Sequence, residues 1–242
     1  MTKSIDIVIA PDLYRFHSKH TNVVLVDILR FTSTMTTALA NGAKSVETYA
    51  DEETPKKLKA EKNYIICGEY KGMDIEGYDF NNSPVSMTKE NVAGRNLAFC
   101  TTNGTYTRSV IYDYGTILAG SFLNFSALCN RLSNDGQSIT IVCSGSARRP
   151  ATEDIIFAGQ VADYLIKNSG FTYMEESVSI ALNLYNLAKN NPKEFVLKSA
   201  PGKKIIIESN PRYAEDFEFV FQTDLFDIVP EETSALKFEA RK

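Results

Sequence analysis

Histidine is nearly absent from this 242-residue chain: His17 and His20, beside Lys19 in a polar stretch that reads as solvated, are the whole supply. A zinc centre built on imidazoles is thereby excluded, and any metal is expected to be a hard cation held by oxygen. Cysteine is sparse too. Cys67, Cys100, Cys129 and Cys143 are dispersed, form no Cys-x-x-Cys pair and read as reduced thiols. No apolar run approaches the ~20 residues of a membrane span. The opening MTKSIDIVIAPD has no signal-peptide pattern, so a cytoplasmic protein with no membrane partner is expected. Positive charge is in deficit: 26 Lys and Arg stand against 30 Asp and Glu, a net charge of −4, which argues against nucleic acid as a partner. Short-period repeats and low-complexity linkers are missing as well. What remains is an ordinary globular composition, 43% hydrophobic and 23% charged, long enough for one large domain or two small ones. We expect a single domain over residues 1–242, or two closely packed lobes with the second from about residue 170.

Along the chain, short apolar runs alternate with helical patterns. The run Val23, Val24, Leu25, Val26 reads as a strand buried on both faces; it stops on Asp27 and passes through Arg30 into a helix from about Ser33 to an Asn41-Gly42 cap. Further strands are expected at 4–10, 45–49, 64–67, 96–100, 116–119 and 138–143, and helices at 51–61, 105–112, 124–131 and 155–167. Between them YKGMDIEGYDFNNSPVSM has no periodicity, and a loop that long tends to be functional. From Tyr173 the pattern turns helical, over 175–189 and 192–198. The remainder holds Ile205-Ile206-Ile207, an aromatic-rich segment and Asp227-Ile228-Val229-Pro230. This alternation predicts an α/β fold of three layers, a largely parallel sheet with helices on both faces and a more helical C-terminal part.

If all the strands are parallel, four loops share one edge of the sheet, where open α/β folds bind ligands. They are Asp27 to Arg30, Gly68-Glu69, Thr101 to Thr105, and Cys143 to Asp154. Carboxylates beside arginines suit Mg²⁺ and a doubly charged oxyanion. Asp27, Glu69, Glu153 and Asp154 are the candidate Mg²⁺ ligands; Asp27, Arg30, Glu69 and Asp154 are the candidate catalytic residues. Arg30 offers a planar fork to phosphate. Thr32, Ser33 and Thr34 at a helix start, then Thr102, Asn103, Gly104 and Thr105, and finally Ser144, Gly145 and Arg149, offer hydroxyls, amides and charge to the substrate. As loop residues, Asp27 and Arg30 are expected to be nearly neutral for folding. Each loop alone has a bland reading as a turn or a complement to a helix dipole. Their coincidence at four strand ends favours a site.

The same stretches carry a resemblance. VVLVDILRFTSTMTTALANGA, ICGEYKG, GYDFNNSP, FCTTNGT, GSFLN and CSGSARRPATEDIIFAG, in this order and at these spacings, resemble the 2-phosphosulfolactate phosphatase family from about Val23 to Ala162, with a fainter echo at Val229-Pro230. The resemblance implies an α/β, Mg²⁺-dependent phosphohydrolase that releases sulfolactate and phosphate, a step that in methanogens belongs to coenzyme M biosynthesis. Its implied partner is a small phosphorylated or sulfonated acid, with homo-oligomerisation left open. The chain departs from the family pattern at four places. Tyr70 stands where Gly-Glu-Arg has its Arg, and Tyr106 where an Arg is common after Thr-Asn-Gly-Thr. Phe80-Asn81-Asn82 replaces Leu-Gly-Asn, and Phe31 replaces an Ala. An anion site here has two fewer arginines, for which Arg148 and Arg149 are candidates to compensate.

Two rival readings remain. Cys143 and Arg149, six positions apart between a strand and a helix, match the spacing of cysteine-dependent phosphatases, whose phosphate loop lowers the thiol pKa. Alternatively, a catalytically silent homologue binds a phosphorylated or sulfonated metabolite, which would account for the missing arginines. An aspartyl-phosphate route on Asp27 lacks its second acid, because Leu29 stands where an Asp is required.

Overall fold

The computed structural model describes residues 3–17, 21–112 and 114–241, so Lys19 and His20 lie outside the described residues. The alternation read above becomes β1 (Ile5–Val8), β2 (Asn22–Val26), α1 (Phe31–Ala40), β3 (Ser45–Thr48), α2 (Glu53–Lys62), β4 (Ile65–Gly68), α3 (Lys89–Val92), β5 (Asn96–Cys100), α4 (Gly104–Val110), β6 (Ile117–Gly120), α5 (Phe125–Asp135), β7 (Ile139–Cys143) and α6 (Thr152–Ser169). The C-terminal part supplies α7 (Glu176–Ala188), α8 (Pro192–Ser199), α9 (Pro201–Ser209), α10 (Pro211–Val220) and a hairpin of β8 (Val229–Ser234) and β9 (Lys237–Arg241). No helix among the described residues is long and apolar enough to cross a membrane.

Because successive strand residues point to opposite faces, β2 feeds two cores. Val24 and Val26 join Leu118, Ile141, Phe157 and Val161 on the face covered by α5, α6 and α7. Val23 and Leu25 join Ala119, Val142, Phe31 and Met35 on the face covered by α1. This is the expected three-layer arrangement, with every β2 residue buried.

Among the described residues the strands form one nine-stranded sheet in the order β1-β7-β2-β6-β8-β9-β3-β5-β4. Two blocks are parallel within themselves, β1-β7-β2-β6 and β3-β5-β4. The hairpin lies between them and is antiparallel to β6, to β3 and internally. Three reversals make the second block run opposite to the first. The expectation of four loops on one edge of an all-parallel sheet is thus corrected. Sheet twist, roughly 20–25° per strand step, accumulates over the steps from β2 to β4 and turns the second block's loops back toward the first. Contacts show that they meet: the amide of Ala147 donates to Asn103 Oδ1 at 3.0 Å, and Arg30 Nη2 donates to Asn81 Oδ1 at 2.8 Å.

Local departures have local causes. α6 begins at Thr152, not Ile155, so Glu153 and Asp154 form its first turn. His17 is not simply solvated: its Nε2 lies 2.7 Å from Asp6 Oδ2.

The hairpin joins the two blocks through Phe238, which is fully buried opposite Val46. Phe238→Ala is expected to destabilise the chain by ~3–5 kcal/mol, the usual cost of removing a buried aromatic side chain. Leu187→Ala, on the exposed face of α7 at 74% exposure, should change little. Chemical denaturation of the two variants beside the parent checks this.

Candidate active site

The ends of β2 and β7 and the first turn of α6 form a nest of buried carboxylates. Asp154 Oδ1 accepts from the Ile28 amide at 2.9 Å and Oδ2 from the Gly145 amide at 2.8 Å, so one side chain holds both strand ends. Gly145 makes this approach at φ +68°, where a Cβ would lie 2.1 Å from the Arg149 carbonyl oxygen. Asp27 Oδ1 accepts from the Phe31 amide at 3.2 Å. Glu153 pairs through Oε1 with Lys203 of α9, while its buried Oε2 has no partner. Burial pushes the Asp27 carboxyl up to about 7, with the charges of Glu69 and Glu153 adding and Lys203 opposing. Asp154 is also raised, by burial first and then by Glu153 and Asp27. Desolvated carboxylates that repel one another are a natural cation site.

Glu69, at the end of β4, faces the same region from the other block. Its Oε1 accepts from the Thr102 amide at 2.8 Å; Oε2 accepts from the Thr102 hydroxyl at 2.9 Å and the Gly72 amide at 2.6 Å. Beside it opens a cleft of about 530 Å³, whose lining includes Lys71, Thr102, Asn103, Thr105, Tyr106 and Arg148.

Arg30 is only 3% exposed. Its Nη1 meets Asp216 Oδ2 of α10 at 2.5 Å, and its guanidinium lies 4.4 Å from the centre of the Tyr213 ring. Asp216 Oδ1 also accepts from the Ser83 hydroxyl at 2.6 Å. Burial raises the Tyr213 phenol, opposed by Arg30 and Lys203 and reinforced by Glu69 and Asp27.

A family model described as 2-phosphosulpholactate phosphatase matches residues 8–234. The chain belongs to the 2-phosphosulfolactate phosphatase family. Relatives named probable 2-phosphosulfolactate phosphatase include one from Pseudothermotoga lettingae, 36% identical over 86% of this chain and 87% of its own. Another, from Clostridium novyi, is 33% identical over 94% of this chain and 96% of its own. A third, from Caldanaerobacter subterraneus subsp. tengcongensis, is 33% identical over 88% of each. By family, this chain is a phosphoric monoester hydrolase.

Within this 2-phosphosulfolactate phosphatase frame, several candidates turn out to hold the site's walls. The hydroxyls of Thr32, Ser33 and Thr34 donate to the carbonyls of Asp27, Ile28 and Arg30 at 2.9 Å each, since a buried hydroxyl at a helix start satisfies itself on nearby backbone. Thr105 does the same with the Thr101 carbonyl at 2.7 Å. Gly104 serves packing, because a Cβ there would sit 2.3 Å from the Phe31 ring. Arg149 is exposed and outside the cleft lining, whereas its neighbour Arg148 is part of it. Ser144 is fully buried with an unpartnered hydroxyl. Among the described residues no three His, Cys, Asp or Glu side chains gather as a ligand set. Asp154 and Glu69 use both oxygens on protein donors, which leaves Asp27 and Glu153 with the oxygens to offer. Two carboxylates fit Mg²⁺, which keeps most of its waters and takes the rest of its shell from substrate.

Lys203, Tyr213 and Asp216 escaped the sequence reading. Lys203 is 50 positions from Glu153 and Asp216 is 186 from Arg30, with no local signal for either pairing. Only the Tyr213–Asp216 spacing, three apart on one helix, marks a shared face. Cys143 is fully buried, and its thiol is pushed well up by burial and then by Asp154 and Glu153, the opposite of an activated thiolate.

Arg30 is therefore not neutral for folding. Arg30→Ala is expected to cost ~3–5 kcal/mol, because it strands Asp216 as a buried unpaired charge. A double-mutant cycle with Asp216→Ala should recover part of that loss; a strictly additive cycle in denaturant melts would refute the coupling. Cys143→Ser should keep at least about half of the parent's activity, and native Cys143 should resist iodoacetamide at pH 8. Trapping of a phosphocysteine would reverse that expectation.

Proposed function

We propose that the chain hydrolyses the phosphate ester of a small hydroxy acid, 2-phosphosulfolactate being the substrate its relatives' names suggest, with Mg²⁺ as cofactor. The observation that carries this reading is the buried nest of Asp27, Glu153 and Asp154, in which burial raises the first to about 7 and one lysine pairs with Glu153. Asp27 and Glu153 would hold Mg²⁺ directly or through water, and the ion would supply positive charge to the phosphoryl oxygens. Lys203 adds a second positive charge from the α9 side. Ser144 Oγ and Glu153 Oε2, buried polar atoms without protein partners, are the groups a bound ligand and ion would satisfy. Asp154 keeps Gly145 and Ile28 in place and so fixes the distance between the β2 and β7 loops. Raised by burial when unliganded, Asp27 would give up its proton on binding the ion. Most of the acceleration would come from positioning and electrostatics, as in phosphoryl transfer generally.

Release of phosphate from 2-phosphosulfolactate should vanish in EDTA and return with Mg²⁺ or Mn²⁺. Asp27→Asn should lower turnover by about a hundredfold or more, since charge aimed at the reacting group is lost. It should also weaken Mg²⁺ binding while leaving the metal-free protein at least as stable as the parent, because one member of a repelling cluster becomes neutral. Full activity in metal-stripped protein would overturn the cofactor assignment. Binding without any phosphate release would favour a silent homologue.

A further inference from the structure

Tyr70 and Tyr106 share an arrangement. Arg148 holds its guanidinium 4.2 Å from the centre of the Tyr106 ring, and Lys71 holds its amine 5.1 Å from the centre of the Tyr70 ring. All four residues line the same cleft of about 530 Å³, with Glu69, Thr102 and Asn103 in its wall. Tyr106 is itself anchored, its hydroxyl donating to Asp12 Oδ1 at 2.7 Å. Both cations stand on left-handed backbone, Lys71 at φ +51° and Arg148 at φ +63°, with Ala147 beside the latter at +50°. Non-glycine residues rarely adopt that conformation, and it concentrates at functional sites. At Arg148 it is held by the Ala147 amide on Asn103 Oδ1 at 3.0 Å and by the Ser146–Arg149 backbone bridge, and at Lys71 by its amide donating to the Thr102 hydroxyl at 2.7 Å.

Three acids share the cleft lining, Asp51, Glu52 and Glu69, and two of them are engaged on protein donors. Glu69 is taken up by the Thr102 and Gly72 donors, and Asp51 accepts from the Glu53 and Thr54 amides and the Thr54 hydroxyl at the start of α2. Among the described residues Lys71 and Arg148 have no carboxylate partner, only their aromatic platforms. The β7–α6 loop runs from Ser144 and Gly145, beside the carboxylate nest, to Ala147 and Arg148, in the cleft. A span of three residues reaches at most ~11 Å, which bounds the backbone separation of the two ends.

Resting on the phosphatase reading above, we infer that this cleft binds the non-transferred anionic end of the substrate. Arg148 is the residue that recognises its sulfonate or carboxylate, and Tyr106 positions Arg148. A guanidinium stacked on a ring keeps its planar fork aimed at one place, which matches an oxyanion better than a free lysine.

Kinetics with 2-phosphosulfolactate and with 2-phospholactate, which lacks the sulfonate, together with calorimetric binding of sulfolactate, test this. Arg148→Ala should raise KM for 2-phosphosulfolactate about tenfold with kcat within twofold of the parent, and should weaken sulfolactate binding by a similar factor. Tyr106→Leu should reproduce most of this change, and Tyr106→Phe, which keeps the ring, much less of it. If the KM effect shrinks with 2-phospholactate, Arg148 reads the sulfonate; if it persists in full, Arg148 reads the carboxylate. A parent that hydrolyses 2-phosphosulfolactate while Arg148→Ala keeps its KM and binding would overturn this assignment alone. A parent that hydrolyses neither ester yet binds sulfolactate through Arg148 would overturn the phosphatase reading alone. A parent that does neither overturns both.

Discussion

Asp154 is the side chain on which the site depends. By accepting the amides of Ile28 and Gly145 it ties the ends of two neighbouring strands to the first turn of α6. That bond pattern requires an ionised or strongly accepting carboxyl in a place with almost no water, and the raised pKa records the cost. Glu153 is drawn into the same nest by its adjacency to Asp154 along the chain, and Asp27 by its adjacency to Ile28, whose amide Asp154 holds. Their mutual repulsion is what makes the region receptive to positive charge, from Lys203 and from a divalent ion alike.

The counter-charges come from the far end of the sequence. α9 brings Lys203 to Glu153, and α10 brings Tyr213 and Asp216 to Arg30. Arg30 thereby becomes a strut. Its guanidinium joins the β2 loop to α10 and, through Asn81, to the long loop after β4. Lys203 is engaged with Glu153, whereas Arg148 and Lys71 in the cleft have no carboxylate partner among the described residues.

The hairpin of β8 and β9 sets the larger frame. Inserted between two parallel blocks, it reverses the second one, and the twist of a sheet this wide returns that block's loops to the neighbourhood of the first. The Glu69 loop and the Thr101–Thr105 turn consequently approach the nest from across the molecule, and Asn103 closes the gap by accepting the Ala147 amide.

Much of this was legible in the residues alone. The β-branched run ending on Asp27, the helix that follows it, and the same unit at β7 and α6 carry their own periodicity, so strands, helices and the acids at their junctions could be placed without contacts. The length of β5 and the cap after α1 were equally local. The hairpin was not, because after Val229-Pro230 its strands are short and rich in Glu and Lys, without a buried alternation to announce them. Nor were the roles within the site. Whether a threonine hydroxyl at a helix start meets ligand or its own backbone, whether Arg30 holds phosphate or Asp216, and whether Arg148 or Arg149 faces the cleft all turn on partners up to 186 positions away. The sequence by itself determined which chemistry gathers at the strand ends, since that follows from residue type and local period. Only the tertiary structure decided which of those groups remain available to a ligand, because desolvation and pairing across the fold are set by what packs against each of them.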